Sequence, residues 1–263
     1  PQARGMSIGR GLFEALGQGI PLPRGAVLFR GNLATVQADG MLVDRRAGRI
    51  REGVASLLAD LKHVDLSNGI KGHIFPGHEH RVIVMLQGPN LSASVTDSDP
   101  GGSARIHRFK EATSTDDSLE GRRTSAALNE LLAIARRHLS AHPLNGTRKS
   151  RGLYEANCVI TRGAASVDEL PKLEPMEERV AVVSACSTAL GVARALSYTP
   201  STSSLMTGNL DTDMGSKYVQ AGELLKTHEM VAIHFKGTDV AAHDRKPLEK
   251  RDYIERVDQG LGT

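Results

Sequence analysis

Met230-Val231-Ala232-Ile233-His234-Phe235-Lys236-Gly237-Thr238-Asp239-Val240-Ala241-Ala242-His243-Asp244 joins an apolar run directly to a polar segment carrying an acid and a histidine. Residues 230–235 read as a strand that ends at Lys236-Gly237. In open α/β sheets ligands gather beyond the carboxyl ends of strands, so the residues that follow are the place to look for chemistry. Asp239 and His243 are four apart, and one helical turn puts a carboxylate and an imidazole on the same side. A hard oxygen with an imidazole suits Mn²⁺ or Zn²⁺ better than a thiolate-seeking metal. The plain alternative is a solvated surface pair.

Working outward, residues 180–183 read as a strand leading into a helix over 187–196, and 219–225 as helical. Toward the N-terminus, 12–16 is a short helical pattern and 26–29 a buried strand. Residues 33–36 and 41–43 flank Asp39-Gly40, a hairpin turn. The spacing predicts a helix over 50–61, a β-branched strand over 81–86, and a polar loop over 96–103. An amphipathic helix follows over 118–138, with Ala127, Leu128, Leu131, Leu132 and Ile134 on one side. A strand over 157–161 ends at Arg162-Gly163. Strands alternating with helices imply an α/β protein with largely buried sheets. The Ser/Thr-rich stretch 198–207 is the candidate linker, and a second junction is expected near residues 21–25.

With 263 residues, 40% of them hydrophobic, the chain can bury one large core or two modest ones. A net charge of +3 fits an anionic ligand but is too small for nucleic acid. Aromatics at 3% and no Trp leave no stacking platform for bases. No apolar run reaches a membrane span. Cys158 and Cys186 form no CxxC pair, which reads as reduced thiols in a cytoplasmic protein. The chain opens on Pro1 and not on methionine, so a longer parent is expected and a leader is left open.

Three further sets carry chemistry. Arg30 and Asn32 follow a strand, Arg45, Arg46 and Arg49 share one Gly-containing loop, and Arg162 ends another strand. Arginine grips phosphate and carboxylate through charge-assisted, bidentate hydrogen bonds, so separate strand-end arginines can converge on one doubly anionic ligand. The alternative for 45–49 is a solvated turn. Asp97 and Asp99 in Thr96-Asp97-Ser98-Asp99-Pro100 can serve as base, metal ligand or hydroxyl clamp, or only as Asx turns before proline. His73, His78 and His80 suggest a metal tract, but the segment is broken by Gly and Pro; His80, beside Arg81 at a strand entry, reads better as an anion contact.

In order along the chain, these segments resemble the archaeal-type, 2,3-bisphosphoglycerate-independent phosphoglycerate mutases of the alkaline phosphatase superfamily. The resemblance rests on Gly9-Arg10-Gly11-Leu12-Phe13-Glu14-Ala15-Leu16-Gly17, Phe29-Arg30-Gly31-Asn32-Leu33-Ala34-Thr35-Val36 and Asp44-Arg45-Arg46-Ala47-Gly48-Arg49. It continues through Leu91-Ser92, residues 96–100, residues 157–163, Val183-Ser184-Ala185 and residues 236–244. It implies part of an alkaline-phosphatase-like core, residues 1–24 and 201–263, interrupted by a smaller α/β substrate-binding domain over 25–200. It implies an isomerase of glycolysis and gluconeogenesis that interconverts 3-phosphoglycerate and 2-phosphoglycerate through a metal-activated phosphoserine. Two divalent ions are implied, manganese or zinc with magnesium as a further candidate, and no 2,3-bisphosphoglycerate. By motif, Asp239 and His243 resemble two metal ligands. Arg30, Asn32, Arg45, Arg46, Arg49, His80 and Arg162 resemble substrate contacts, and Asp97 or Asp99 the proton acceptor from a glycerate hydroxyl.

The departures shape a second expectation. The family's nucleophilic serine and an Asp-Gly metal ligand would fall upstream of this chain, and its Asp-His-Ser motif and last histidine ligand after Thr263. Ser7 is not in the serine's context. Pro100-Gly101 stands where relatives carry Pro-His, and Gly31 where they carry a larger residue. This chain alone is therefore expected to be inactive and to hold little metal. Two other readings stay open: a metal-dependent phosphohydrolase or phosphonate-cleaving relative, and a non-catalytic anion-binding domain. Nucleic acid and membrane partners are not expected, and the oligomeric state is not legible.

Overall fold

β1, Val27–Val36, is buried along its whole length, and the first of two units is built around it. The computed structural model describes residues 9–101, 108–170 and 178–262; Ser7 and the end of the polar loop over 96–103 lie outside them. The first unit comprises described residues within 9–12 and 22–170, and the second those within 13–21 and 178–262.

In the first unit, β1 lies between β5 (Arg81–Gln87) and β6 (Cys158–Ser166), antiparallel to both. β2 (Leu42–Asp44) closes the hairpin at the end of β1, through a turn where Gly40 has φ 87° and Met41 N–H donates to Asp39 Oδ1. Beyond β5 come β4 (Lys71–Pro76) and β3 (Val64–Asp65). α3, Leu119–Ala141, starts at Ser118, whose hydroxyl accepts from Gly121 N–H. Its Ala127, Leu128, Leu131, Leu132, Ala135 and Leu139 pack with Val27, Phe29 and Leu33 of β1 and Val82, Val84 and Leu86 of β5. Each fully buried aliphatic there contributes roughly 1.5–3 kcal/mol. Asn145 of α4 (Pro143–Ser150) ties the end of α3 to the start of β6, donating to Leu139 O and Ala156 O and accepting from Ala156 N–H.

In the second unit, β7 (Val180–Val183) lies between β8 (Thr199–Ser201) and β9 (Met230–Ile233), all parallel. α5 (Ser187–Ala195), α6 (Met214–Leu225), α7 (Gly237–His243) and α8 (Pro247–Leu261) accompany it. The 13–18 part of α1 (Arg10–Gln18) packs on α5 with no room for side chains: a Cβ on Gly191 would stand 1.8 Å from Phe13 O, and one on Gly17 1.8 Å from Ser187 O. Among the described residues no helix is long and apolar enough to cross a membrane.

The α/β class holds, with corrections. The first sheet is antiparallel: β1–β2, β3–β4 and β4–β5 are sequence neighbours that pair directly, and β6, reached from β5 through α3 and α4, pairs antiparallel with β1. The helix expected over 50–61 is only α2, Val54–Leu57, and a 3₁₀ turn, Ala59–Leu61, entered through Gly53 at φ 73°. β6 runs past Arg162-Gly163 to Ser166. The expected linker over 198–207 contains β8, whose residues bond to β7. For the same reason residues 180–200 pack with the second unit, and the domain boundary expected at 200/201 lies near 170/171.

Gly191→Ala should lower stability by about 1–3 kcal/mol, because the new methyl meets a backbone carbonyl. Gly146→Ala in α4, where a Cβ meets nothing within 4 Å, should raise it by up to about 1 kcal/mol. Urea unfolding of the two variants checks the opposite signs.

Candidate functional site

Side chains alternate across a strand, so with Val27, Phe29 and Leu33 turned toward α3, Arg30 and Asn32 occupy the opposite face of the first sheet. Arg30 stands directly opposite Arg162 on β6, and Asn32 opposite Arg81 on β5. Arg30 and Asn32 are only 8% and 9% exposed. The β1–β6 register shifts between Leu28 and Arg30, an irregularity that re-aims side chains at this point. A Cβ on Gly11 would lie 2.7 Å from Arg30 N, and one on Gly9 2.5 Å from Gly163 O, so residues 9–11 run tightly over the same strand segments.

The loop after β2 brings the other arginines. Asp44 Oδ1 accepts from Arg46 and Gly48 N–H, an Asx turn that leads into Ala47, Gly48 and Arg49 at φ 46°, 66° and 57°. Left-handed backbone costs a residue with a Cβ about 1–2 kcal/mol, and here it is held by Arg148, which donates to Ala47 O. Asn32 Nδ2 donates to Arg45 O, and Leu33 N–H to His80 O at 2.7 Å, which tie this loop and His80 to β1. His80 is buried, and burial pushes its imidazole down to about 4, aided by the positive charges of Arg81, Arg46, Arg30 and Arg49. Four arginines from two strands and one loop thus register at one histidine. Arg81, which the sequence marks only as a neighbour of His80, belongs to this set.

The acidic loop is strapped to β6. Ser98 and Asp99 N–H both donate to Thr161 O at 3.0 Å, and Ser98 Oγ accepts from Thr161 N–H at 2.8 Å. Asp99, buried, pairs with Arg45 Nη2 at 2.5 Å and accepts from Gly101 N–H. Asp97 is exposed and accepts from Gly163 N–H at 2.8 Å, next to Arg162. The structure therefore gathers Arg30, Asn32, Arg45, Arg46, Arg49, His80, Asp99 and Arg162, with Asp97 at the margin. His73 lies apart on β4, bonded to His63 and Lys62 O, and His78 is exposed beside Glu79.

In the second unit, Asp239 and His243 share α7, with Oδ1 3.6 Å from Nε2 and both side chains largely exposed. Asp239 Oδ2 is paired with Lys236, whose ammonium is the main cause holding that carboxyl below its ordinary value. Among the described residues no three His, Cys, Asp or Glu side chains come close enough to hold a metal ion. The carboxylate–imidazole chemistry of the pair suits a first-row divalent metal, with Lys236 displaced.

Fold and residues together define an α/β protein that collects arginines on one face of an antiparallel sheet and places an acid–histidine pair after a parallel strand. A family model for 2,3-bisphosphoglycerate-independent phosphoglycerate mutase matches residues 2–145. The enzyme of that name from Metallosphaera sedula is 41% identical over 256 residues, which is 97% of this chain and 62% of that protein. The cofactor-independent phosphoglycerate mutase structure from Thermoplasma acidophilum superposes with a TM-score of 0.62 at 30% identity, covering 98% of this chain and 65% of that one. The PH0037 protein of Pyrococcus horikoshii gives a TM-score of 0.73 at 27% identity, over 97% and 58% of the two chains. The chain belongs to the 2,3-bisphosphoglycerate-independent phosphoglycerate mutase family, and it spans 62% of the length of its Metallosphaera relative.

His80 provides a direct readout of the arginines. Its value is lowered in the folded state, so its contribution to stability is complete above about pH 6.5 and is lost as pH falls toward about 4. Saturating inorganic phosphate should move the His80 midpoint upward in an NMR titration, because the anion offsets the surrounding positive charge. An unmoved midpoint contradicts the convergence.

Proposed function

We propose that this chain carries the glycerate-gripping part of an enzyme that interconverts 3-phosphoglycerate and 2-phosphoglycerate. The observation that carries the reading is the opposition of Arg30 and Arg162 across β1 and β6, with Arg45, Arg46, Arg49 and Arg81 around the same sheet face. Like charges placed opposite one another in a sheet repel, so an anion received between them is favoured. A phosphorylated three-carbon acid offers two anionic ends to divide among these guanidinium groups. A hydrolase has no need of that second grip, which favours a mutase over a phosphohydrolase.

The residues divide the work as follows. The guanidinium groups bind the carboxylate and phosphate and fix the carbon skeleton between them. His80, kept neutral by burial and by its arginine neighbours, adds no charge of its own and serves as a hydrogen-bonding group. Asp99 is held by Arg45. When an anionic end of the ligand takes Arg45, Asp99 Oδ2 is released to accept the proton of a glycerate hydroxyl. Asp97, fixed on Gly163 N–H, keeps the β6 strand and Arg162 in register. Asp239 and His243 would hold one divalent ion, manganese or zinc; such an ion supplies Lewis-acid stabilisation of phosphoryl charge. Two free cysteines fit a reducing, cytoplasmic setting.

Incubation of the full-length protein with 3-phosphoglycerate should yield 2-phosphoglycerate; release of free phosphate alone would overturn the mutase reading. Arg30→Met and Arg162→Met should each weaken 3-phosphoglycerate binding by about 10–100-fold, the size of a lost charged hydrogen bond, and Arg162→Lys should not restore it, since a point charge lacks the fork. Calorimetry with Mn²⁺ should show weak, non-stoichiometric binding to this chain that Asp239→Asn removes. Tight one-to-one binding contradicts a two-donor site.

A further inference from the structure

At the carboxyl ends of β7 and β9 in the second unit, a single histidine is fixed at three points. His234 N–H donates to Val183 O at 2.9 Å, Lys217 Nζ donates to His234 O at 3.0 Å, and the ring Nδ1 lies 3.1 Å from Ser184 Oγ. The partners are themselves fixed. Ser184 is fully buried, its N–H donates to Ser201 O at the end of β8, and its hydroxyl oxygen accepts from Cys186 N–H at 2.9 Å. Lys217 is 1% exposed, with its ammonium 5.5 Å from the Phe235 ring centroid.

These contacts choose a tautomer. Ser184 Oγ already accepts a hydrogen bond, and its own proton needs an acceptor, since a buried hydroxyl left without one costs about 1–3 kcal/mol. Among the described residues the acceptor within reach is His234 Nδ1. Nδ1 is then the acceptor and the ring proton sits on Nε2, which makes no hydrogen bond among the described residues. Burying an ammonium is expensive, and Lys217 recovers part of that through one carbonyl and one aromatic face. A lysine kept at 1% exposure to hold the backbone of one histidine is costly for structure alone.

We propose that His234 is a binding residue for a phosphoryl or carboxylate oxygen, offering an uncharged Nε2–H donor, and that Ser184 and Lys217 are its positioning residues. The proposal rests on the reading of the chain as a phosphoglycerate-handling protein, because that reading says what kind of oxygen arrives. The burial of Lys217 places a positive charge behind the donor, which favours an anion over a neutral ligand.

The test is ¹⁵N–¹H correlation NMR of histidine-labelled full chain, titrated with inorganic phosphate and followed at His234 and His80. The expected result is the Nε2–H tautomer at His234 and a saturable shift of its Nε2 signal with phosphate. Ser184→Ala should mix the tautomers and weaken the phosphate response at His234 about fivefold to tenfold, the range of one neutral hydrogen bond; Ser184→Thr should restore both. If Ser184→Ala unfolds the chain, the wild-type tautomer and shift decide alone. An Nδ1–H tautomer, or a His234 signal unmoved while His80 responds, overturns this proposal and leaves the functional reading intact. If neither histidine responds, both fall.

Discussion

Two guanidinium groups opposed on neighbouring strands are the constraint around which the first unit is arranged. Arg30 and Arg162 have their places fixed by the ladder hydrogen bonds of β1 and β6, so neither can retreat without breaking the sheet. Strand alternation then dictates that the same face receives Asn32 and Arg81, while the other face is given to the α3 core. The cost of crowding positive charge is met locally. Burial and repulsion keep His80 neutral, Asp99 neutralises Arg45, and Arg51 pairs with Glu79 on the turn that carries His80.

Rigid strands and a strained loop contribute differently. Arg30 stands on β1, the strand at the centre of the core, and Arg162 on β6, which pairs with β1 through seven register positions, and this gives precision. Arg45, Arg46 and Arg49 stand on a loop with three consecutive left-handed residues, held by Asp44 and Arg148. Strain of that kind persists where surrounding contacts over-determine the backbone, and it aims side chains that a relaxed turn would leave in solvent. The acidic loop follows the same logic through Ser98 and Thr161, which add side-chain bonds to the two backbone bonds that tie the loop to β6.

Much of this was legible in the chain itself. The β-branched run at 81–86, the Asp39-Gly40 turn and the apolar stripe of 118–138 gave their elements from local pattern alone. The arginines were legible as a set because each lies beside an apolar run, but Arg30 and Arg162, expected just after and at the end of strands, lie within β1 and β6 because those strands pair past them. The sequence reading failed where tertiary context decided the outcome. Residues 198–207 are polar, and β8 forms there because β7 offers it an edge. Gly53 interrupts a helical spacing that continues on either side of it. Residues 71–76 contain Gly, His and Pro, and they form β4 because β5 pairs with them throughout. Lys217, Ser184 and His234 gave no spacing signal, since they meet from three elements; a serine and a histidine each placed just after an apolar strand were the available hint.

If opposed arginines are kept for a ligand and not for the fold, they should oppose folding when the ligand is absent. Thermal unfolding of Arg162→Leu with and without inorganic phosphate measures this directly. The account predicts that the variant is at least as stable as the parent chain without phosphate and gains little from its addition, while the parent gains in proportion to phosphate occupancy. A variant that is less stable without phosphate and gains from phosphate as much as the parent would contradict it.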